Sequence, residues 1–379
     1  MIFMEKALSL ISNRGVCSFI VPNSWLTVEA GKKLRDLFSP RLCVLADLLY
    51  PVFEGVTVET VIFVARKESH QSKVKCSIVR SLNEFDSSFF ETSSDSWKTN
   101  DGKICLASDP GIDLVLDKII RQSERIGDFF DVKTGLQAYE AGKGNPRQTK
   151  KDVKDHVFDY DTKHDKNTYR YLDGKDVGRY VLSWNNRWLR YGPWLSQPRT
   201  IDIFTRPRIL LREITSPLPY CVNGVFTQDN FLNNKSILNI LHSEDDSNAL
   251  LFLLGQLNSK LLSIFYKNKA VKSARTLFPK IVIKDLRTFP YVPVDSRSKD
   301  KSVQITQKVK MALDLQDHLK ALHAPGEVMR LKRQVASLYQ EIDHLVYELY
   351  RLTEQEIELV EAYAISMEKA DSNETQEQS

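Results

Sequence analysis

The sequence of 379 residues predicts a chain of mixed class, with an α/β segment first, a β-rich α+β domain next and helices last. Three observations predict this. Apolar runs of strand length alternate with helical periodicity over the first seventy residues. From residue 114 the pattern changes to short strands, many aromatics and long polar loops. After residue 301 apolar residues recur at three-to-four spacing.

The elements follow in order. Residues 1–11 form an amphipathic helix, stopped by Asn13-Arg14-Gly15, and residues 16–21 read as a buried strand. Pro22-Asn23-Ser24 turns the chain into a helix over 26–38, and a second apolar strand spans 42–50. Pro51-Val52-Phe53-Glu54-Gly55 then leads to a β-branched strand over 58–65. The alternation reads as the edge of an α/β sheet with both faces covered. Three strands do not complete such a sheet, so further partners for its backbone hydrogen bonds are expected. The polar, serine-rich stretch 71–113, with a weak strand pattern at 74–78, reads as a connector. A hydrophobic helical stretch spans 249–266, and a long helical region over 303–350 is broken at Ala324-Pro325-Gly326. The expected division is therefore a segment over 1–70, the connector 71–113, a domain over 114–300, a helical region 301–366 and a disordered tail 367–379. Internal repeats are absent.

Composition narrows the class. The longest apolar stretch, around 250–257, is far short of the roughly 18–20 residues of a membrane span. Residues 1–10 carry Glu5 and Lys6 and no small-residue cleavage site, so a signal peptide is not expected and the chain reads as soluble and cytoplasmic. Cys17, Cys43, Cys76, Cys105 and Cys221 are scattered and never at metal-ligand spacing, which points to reduced thiols and no zinc site. The net charge of +4 is unevenly spread. Residues 142–199 hold thirteen Lys or Arg against seven Asp, and 260–287 hold eight against one, whereas the stretch after Leu352 is acidic.

The basic stretches carry the candidate binding residues. In 139–154, Gly142 and Gly144 give backbone freedom, while Lys143, Asn145, Arg147, Gln148, Lys150 and Lys151 supply charge and amides suited to a loop entering a DNA groove. A solvated loop is the competing reading. The region 169–212 interleaves Tyr169, Tyr171, Trp184, Trp188 and Trp194 with Arg187, Arg190 and Arg212. Such density fits a DNA-reading surface, and equally a small aromatic core with an arginine rim. Lys269, Lys272 and Arg275 are candidate phosphate contacts that would give affinity without sequence information. The acidic string at 155–165 is weighed as a magnesium site and set aside as a solvated loop, since its carboxylates crowd one polar stretch. Asn258-Ser259 reads as a helix-packing feature with its polar groups satisfied.

Longer strings add a resemblance. Residues 15–26, Gly-Val-Cys-Ser-Phe-Ile-Val-Pro-Asn-Ser-Trp-Leu, are followed by Gly31-Lys32-Lys33-Leu34-Arg35 and then by residues 52–62, Val-Phe-Glu-Gly-Val-Thr-Val-Glu-Thr-Val-Ile. Further on come Val132-Lys133-Thr134-Gly135-Leu136-Gln137, Leu172-Asp173-Gly174-Lys175-Asp176-Val177, Arg206-Pro207-Arg208-Ile209-Leu210-Leu211-Arg212 and Leu257-Asn258-Ser259-Lys260-Leu261. In this order, over residues 1–295, they resemble the C-terminal part of Eco57I-like and TaqI-like adenine-specific DNA methyltransferases of restriction-modification systems. The resemblance implies that 1–70 are the C-terminal remnant of a Rossmann-like methyltransferase sheet and 114–300 a TaqI-like target-recognition domain. It also implies double-stranded DNA as partner, S-adenosyl-L-methionine as cofactor of the complete enzyme, and Phe53 beside a flipped adenine.

The departures count as much. The family's glycine-rich cofactor turn and its Asn/Asp-Pro-Pro-Tyr/Phe tetrapeptide are absent, the nearest strings being Asn145-Pro146-Arg147 and Ser216-Pro217-Leu218-Pro219-Tyr220. No cofactor is therefore expected on this chain alone. The expected function is the DNA-binding specificity portion of a site-specific adenine-N6 methyltransferase, catalytically incomplete without a methyltransferase half. A stand-alone DNA-binding remnant of a decayed restriction-modification gene is the alternative, and DNA cleavage lacks a metal cluster to support it.

Overall fold

The computed structural model describes residues 2–48, 52–53, 58, 60–68, 73–79, 89–95, 97, 102–104, 106, 110–269 and 279–377. They fall into two compact units, Met1–Lys118 with Lys267–Pro279, and Ile119–Tyr266 with Lys280–Ser379.

The first unit contains helix α1 (Ile2–Leu10), strand β1 (Val16–Pro22), helix α2 (Lys32–Phe38) and strands β2 (Leu42–Leu48), β3 (Thr60–Arg66), β4 (Lys73–Val79) and β5 (Phe90–Ser93). Helix α3 (Pro110–Arg121) leads out of it. The strands form one sheet in the order β1-β3-β2-β4-β5. Only β2 and β4 are parallel; the other neighbours are antiparallel. Thus the stretch expected as a connector supplies two strands of the sheet. The helix expected over 26–38 is also broken, into tight turns at Asn23–Leu26 and Glu29–Gly31 ahead of α2. The reason is Arg35. Its buried guanidinium donates to the carbonyls of Trp25 (3.0 Å), Val28 (2.6 Å) and Gly102 (2.7 Å), the first two being acceptors that a straight helix would have used itself. Gly31 permits the break, because a Cβ there would lie 2.5 Å from the Trp25 oxygen.

One sheet face is closed by α1 and α2 around Trp25, Phe38 and Phe63, whose rings meet edge to face at 5.3–6.2 Å. The other face departs from the expectation of full cover. Beside β1 it leaves Val16 57% and Ile20 41% exposed, with Ile62 and Val64 half-buried. The Gly15 carbonyl accepts from the Lys67 N–H, so by antiparallel alternation the backbone groups of Val16, Ser18 and Ile20 point away from β3 toward an edge that no other described strand covers.

The second unit begins with β6 (Glu124–Arg125), α4 (Ile126–Phe129), β7 (Phe130–Thr134), α5 (Lys150–Asp155), β8 (Asp159–Tyr160) and β9 (Thr168–Leu172). It continues through β10 (Val177–Gly178), β11 (Val181–Leu182), β12 (Trp188–Arg190), β13 (Arg208–Arg212), β14 (Gly224–Thr227), β15 (Phe231–Asn233) and β16 (Ile237–His242). Helices α6 (Ser247–Leu257), α7 (Lys260–Lys269) and α8 (Ile283–Leu286), strand β17 (Pro290–Tyr291), and helices α9 (Lys299–Ala321), α10 (Pro325–Leu349) and α11 (Glu354–Glu377) follow. One four-stranded sheet, β14-β13-β16-β7, is wholly antiparallel; a second, β15-β9-β12-β8, has β15 parallel to β9. Short pairs β10-β11 and β17-β6 complete the strands.

The apolar run 249–266 divides into α6 and α7, bent by 66°, and among the described residues no single helix is long and apolar enough to cross a membrane. Every residue from Leu250 to Leu257 is buried, which accounts for a helix apolar on all sides. At the bend the Asn258 carboxamide pairs with both backbone groups of Gly224, accepting from its N–H at 2.8 Å and donating to its carbonyl at 2.9 Å. The long helical region breaks where expected, with Pro325 opening α10, and Leu331, Val335, Leu338, Ile342, Leu345 and Leu349 form its buried seam. Helix α11 continues to Glu377, through most of the stretch expected to be disordered.

The helices are locked to the sheets by a buried carboxylate. Asp343 accepts from the Tyr220 hydroxyl (2.7 Å) and the Lys260 N–H (2.9 Å), while the Arg179 guanidinium lies between the rings of Tyr220 (3.5 Å) and Tyr339 (3.9 Å). Burial raises the Asp343 pKa, and the charge of Arg179 opposes that rise. Replacing Asp343 by Ala strands these donors in the interior, so a urea titration of D343A should show a loss of about 3–5 kcal/mol. A variant as stable as the parent would show that the lock does not hold the helices.

Candidate nucleic-acid interface

The site is built on the sheet β15-β9-β12-β8. Its apolar side packs Leu136, Ala138, Tyr171, Leu189, Leu195, Phe204 and Leu232 into one cluster, against which Tyr139, Phe158 and Trp194 lie half-buried. Tyr139 is fixed at both ends. Its ring stacks on Phe158 with centroids 5.7 Å apart, and its hydroxyl donates to Asp159 (2.8 Å) and accepts from the Phe158 N–H (2.9 Å). Burial and the Asp159 charge push its pKa well above that of an ordinary tyrosine, so it stays a neutral donor.

From Tyr139 the chain runs into the loop that precedes α5. Gln148, expected to reach outward, is buried, and its carboxamide ties the loop together. It donates to the carbonyls of Ala138 (2.7 Å) and Trp194 (2.9 Å) and accepts from the Glu140 N–H (3.0 Å). Backbone bonds add to this: Gly142 N–H to Gln148 O, Gln148 N–H to Lys143 O, and Asn145 N–H to Pro193 O, each 2.8 Å. Gly144 has φ +86°, and a Cβ there would stand 2.2 Å from the Trp194 oxygen, so only glycine fits. Next, the side chains of Thr149 and Asp152 cap α5 reciprocally.

On this scaffold Lys143, Asn145, Arg147, Lys150 and Lys151 are exposed, and none makes a side-chain hydrogen bond or ion pair among the described residues. Lys154, in the same run and not singled out from sequence, joins them at the end of α5.

The arginines of the sheet behave differently. Arg187 donates to Asp173 (2.8 Å) and approaches Asp159 (3.4 Å), and Arg190 donates to Asp165 (2.7 Å) while lying over the Trp194 ring. Arg170 and Arg206 pair with Asp229 and Asp245. Arg208 is wholly interior, its pKa pushed down to about 10 by burial, and it holds the carbonyls of Arg206, Asp229 and Phe231. Arg212 closes β13, half-buried. In the acidic string weighed as a metal site, Asp159 serves Tyr139 and Arg187 and Asp165 serves Arg190, while Asp155 and Asp161 are exposed.

The remaining candidates lie in the first unit. Phe53 is 48% exposed, beyond the end of β2. Lys269 is enclosed, its side chain only 10% exposed, and it binds Asp113 (2.9 Å) and Asp117 (3.1 Å). Burial works against its charge, yet the two carboxylates hold its pKa above the ordinary lysine value. Its ammonium is therefore turned inward rather than offered to a phosphate. Lys272 and Arg275 lie outside the described residues.

Residues 169–291, which contain β9 to β17 and most of this sheet, match the TaqI-like C-terminal specificity domain, and residues 1–53 match the Eco57I restriction-modification methylase. Over these two stretches the chain is thus similar to restriction-modification methylases and to their TaqI-like specificity domain. A putative type II restriction enzyme and methyltransferase of Methanocaldococcus jannaschii is 23% identical over 330 residues, 84% of this chain and 26% of the relative. The type IIL restriction-modification enzyme MmeI, solved in complex with DNA, shares the fold at a TM-score of 0.56 and 11% identity, over 98% of this chain and 52% of that one. The type IIG restriction endonuclease BpuSI aligns at a TM-score of 0.39 and 14% identity, over 92% of this chain and 49% of that one. The chain thus spans about a quarter of its curated relative and about half of each solved enzyme.

Two outcomes test the geometry of this candidate site. Gly144→Ala should destabilise the loop by about 1–3 kcal/mol, from positive φ and the clash, and the Asn145 amide should lose hydrogen-exchange protection. Retained protection would contradict the packing. The Thr168 hydroxyl, with Arg190 and the Asn167 N–H, holds the Asp165 carboxyl below its ordinary value of 3.8. The clamp on Arg190 is therefore complete above that value and lost as pH falls through the lower folded pKa. A carboxyl resonance of Asp165 titrating at 3.8 or above would refute the clamp.

Proposed function

We propose that this chain is the DNA-reading specificity portion of a site-specific adenine-N6 methyltransferase of a restriction-modification system. In this reading it acts in the cytoplasm on duplex DNA, the first unit is the end of a Rossmann-like methyltransferase sheet, and methyl transfer needs a methyltransferase half that brings S-adenosyl-L-methionine. The single observation that carries the reading is the contrast within the specificity domain. Arg170, Arg187 and Arg190 are paired with carboxylates, whereas the cations of the 143–154 run project unpaired from a fixed loop. Unpaired, exposed cations on a rigid support are what a polyanion binds, because each phosphate contact releases condensed counterions.

Two further observations support the incompleteness. The sequence contains no Asn/Asp-Pro-Pro-Tyr/Phe. In the first unit, Gly15 and Gly31 pack against the backbone of Ser12 and Trp25, which supports a cofactor turn supplied by another segment. No chemical step is therefore assigned to residues of this chain. The open β1 edge, with apolar Val16 and Ile20 beside it, supports a sheet that continues in another segment. Phe53, exposed past β2, would stack on the extruded adenine in the assembled enzyme.

The test is binding and transfer with the full chain. It should bind duplex DNA at low ionic strength, followed by fluorescence anisotropy, and transfer no methyl group from S-adenosyl-L-methionine by itself. Removing charge at Lys143, Arg147 and Lys150 together should weaken binding and flatten the log–log salt slope by about 2–3. An unchanged slope would remove the loop from the interface, and methylation by the chain alone would overturn the incompleteness.

A further inference from the structure

We infer that the segment Lys143–Gln148 is the sequence-reading element of the domain, with Asn145 contacting a base edge, Lys143 and Arg147 flanking it on the phosphates, and Gln148 as a positioning residue. The inference rests on the reading that the chain binds duplex DNA, and it assigns different roles to neighbouring residues that the reading alone treats alike.

The argument is one of preorganisation. A carboxamide discriminates adenine only when both its donor and its acceptor meet the N6 and N7 edge together, so its backbone must be held still before contact. Asn145 meets that condition. Its own N–H is bonded to Pro193 O, the preceding Gly144 is wedged against Trp194, and Gln148 closes the loop three residues later with a carboxamide bonded on both sides. Its side chain is nonetheless exposed and engaged by nothing among the described residues. Backbone order of this kind in a loop removes the ordering cost that a mobile reader would meet on binding.

Several other amides of the domain are engaged, Asn233 and Asn258 with backbone, Asn239 with Arg208, and Gln137 with Tyr139 and Glu140. Asn185, Asn186 and Asn230 are exposed like Asn145, but their backbones make no hydrogen bond among the described residues that would hold them still. Arg187 and Arg190, which could read guanine, are held by carboxylates. Lys143 and Arg147 stand two residues either side of Asn145 and are exposed, the arrangement of phosphate anchors around a reader. Gln148 itself is 4% exposed and cannot touch DNA without leaving its partners, so its part is indirect.

The experiment is selection of bound duplexes from a random-sequence pool by the full chain, repeated with variants, alongside the salt dependence of binding to one fixed duplex. The parent should enrich a motif. Asn145→Ala should lose enrichment at one or two positions, with preference there falling roughly 5- to 150-fold, and keep the parent's salt slope. Lys143→Ala and Arg147→Ala should each lower the slope by about 0.9 while enriching the same motif. Gln148→Ala should blur the motif over several positions with the slope unchanged, which a merely destabilised fold would not do, since it would lower binding to all duplexes alike. A parent that binds DNA but enriches nothing, or an Asn145→Ala variant that enriches the parental motif, overturns the assignment. A parent that fails to bind any duplex at low salt overturns the underlying reading instead.

Discussion

The carboxamide of Gln148 sits where three stretches of chain converge, and the geometry of the candidate interface depends on it. Ala138, Glu140 and Trp194 belong to the entrance of the loop and to the connection after β12, and one side chain satisfies a backbone group of each. Burying an amide is costly unless both of its ends are bonded, and here they are. The result is a long polar loop with the order of a packed element. Its exposed residues inherit fixed positions, although they contribute nothing to the core.

The domain separates positive charge into two populations by the same means. Where a carboxylate stands within reach, as Asp173 does for Arg187 and Asp165 for Arg190, the guanidinium becomes a strut between strands. Where none does, as at Lys143 and Arg147, the charge is left for solvent or a partner. Composition counts both populations together, so a basic stretch overstates the charge available for binding. Lys269 makes the same point in the first unit, since two aspartates from α3 enclose it.

Much of the architecture was legible because it rests on local periodicity. Strands β1 to β3, the break before Pro325 and the buried seam of α10 appear in the apolar spacing, and Asn258 was recognisable as a packing residue because a polar pair ending an apolar run must be satisfied. Strands β4 and β5 were read as connector because their stretch is polar and serine-rich, and their burial comes from neighbours distant in sequence. The periodicity over 26–38 is helical, while the interruption of that helix is decided by Arg35 reaching three carbonyls, one of them 67 residues away.

By itself, then, the sequence determined the class of chain, the order of much of its architecture and the basic stretch that is the candidate for a DNA-reading surface. Spacing of apolar residues and clustering of charge are properties of contiguous residues, and contiguous residues suffice to show them. Tertiary structure decided which members of that stretch are available. Whether Gln148 points out or in, and whether an arginine is paired or free, depends on which carboxylates and carbonyls the fold brings within about 3 Å, a distance that sequence separation does not encode.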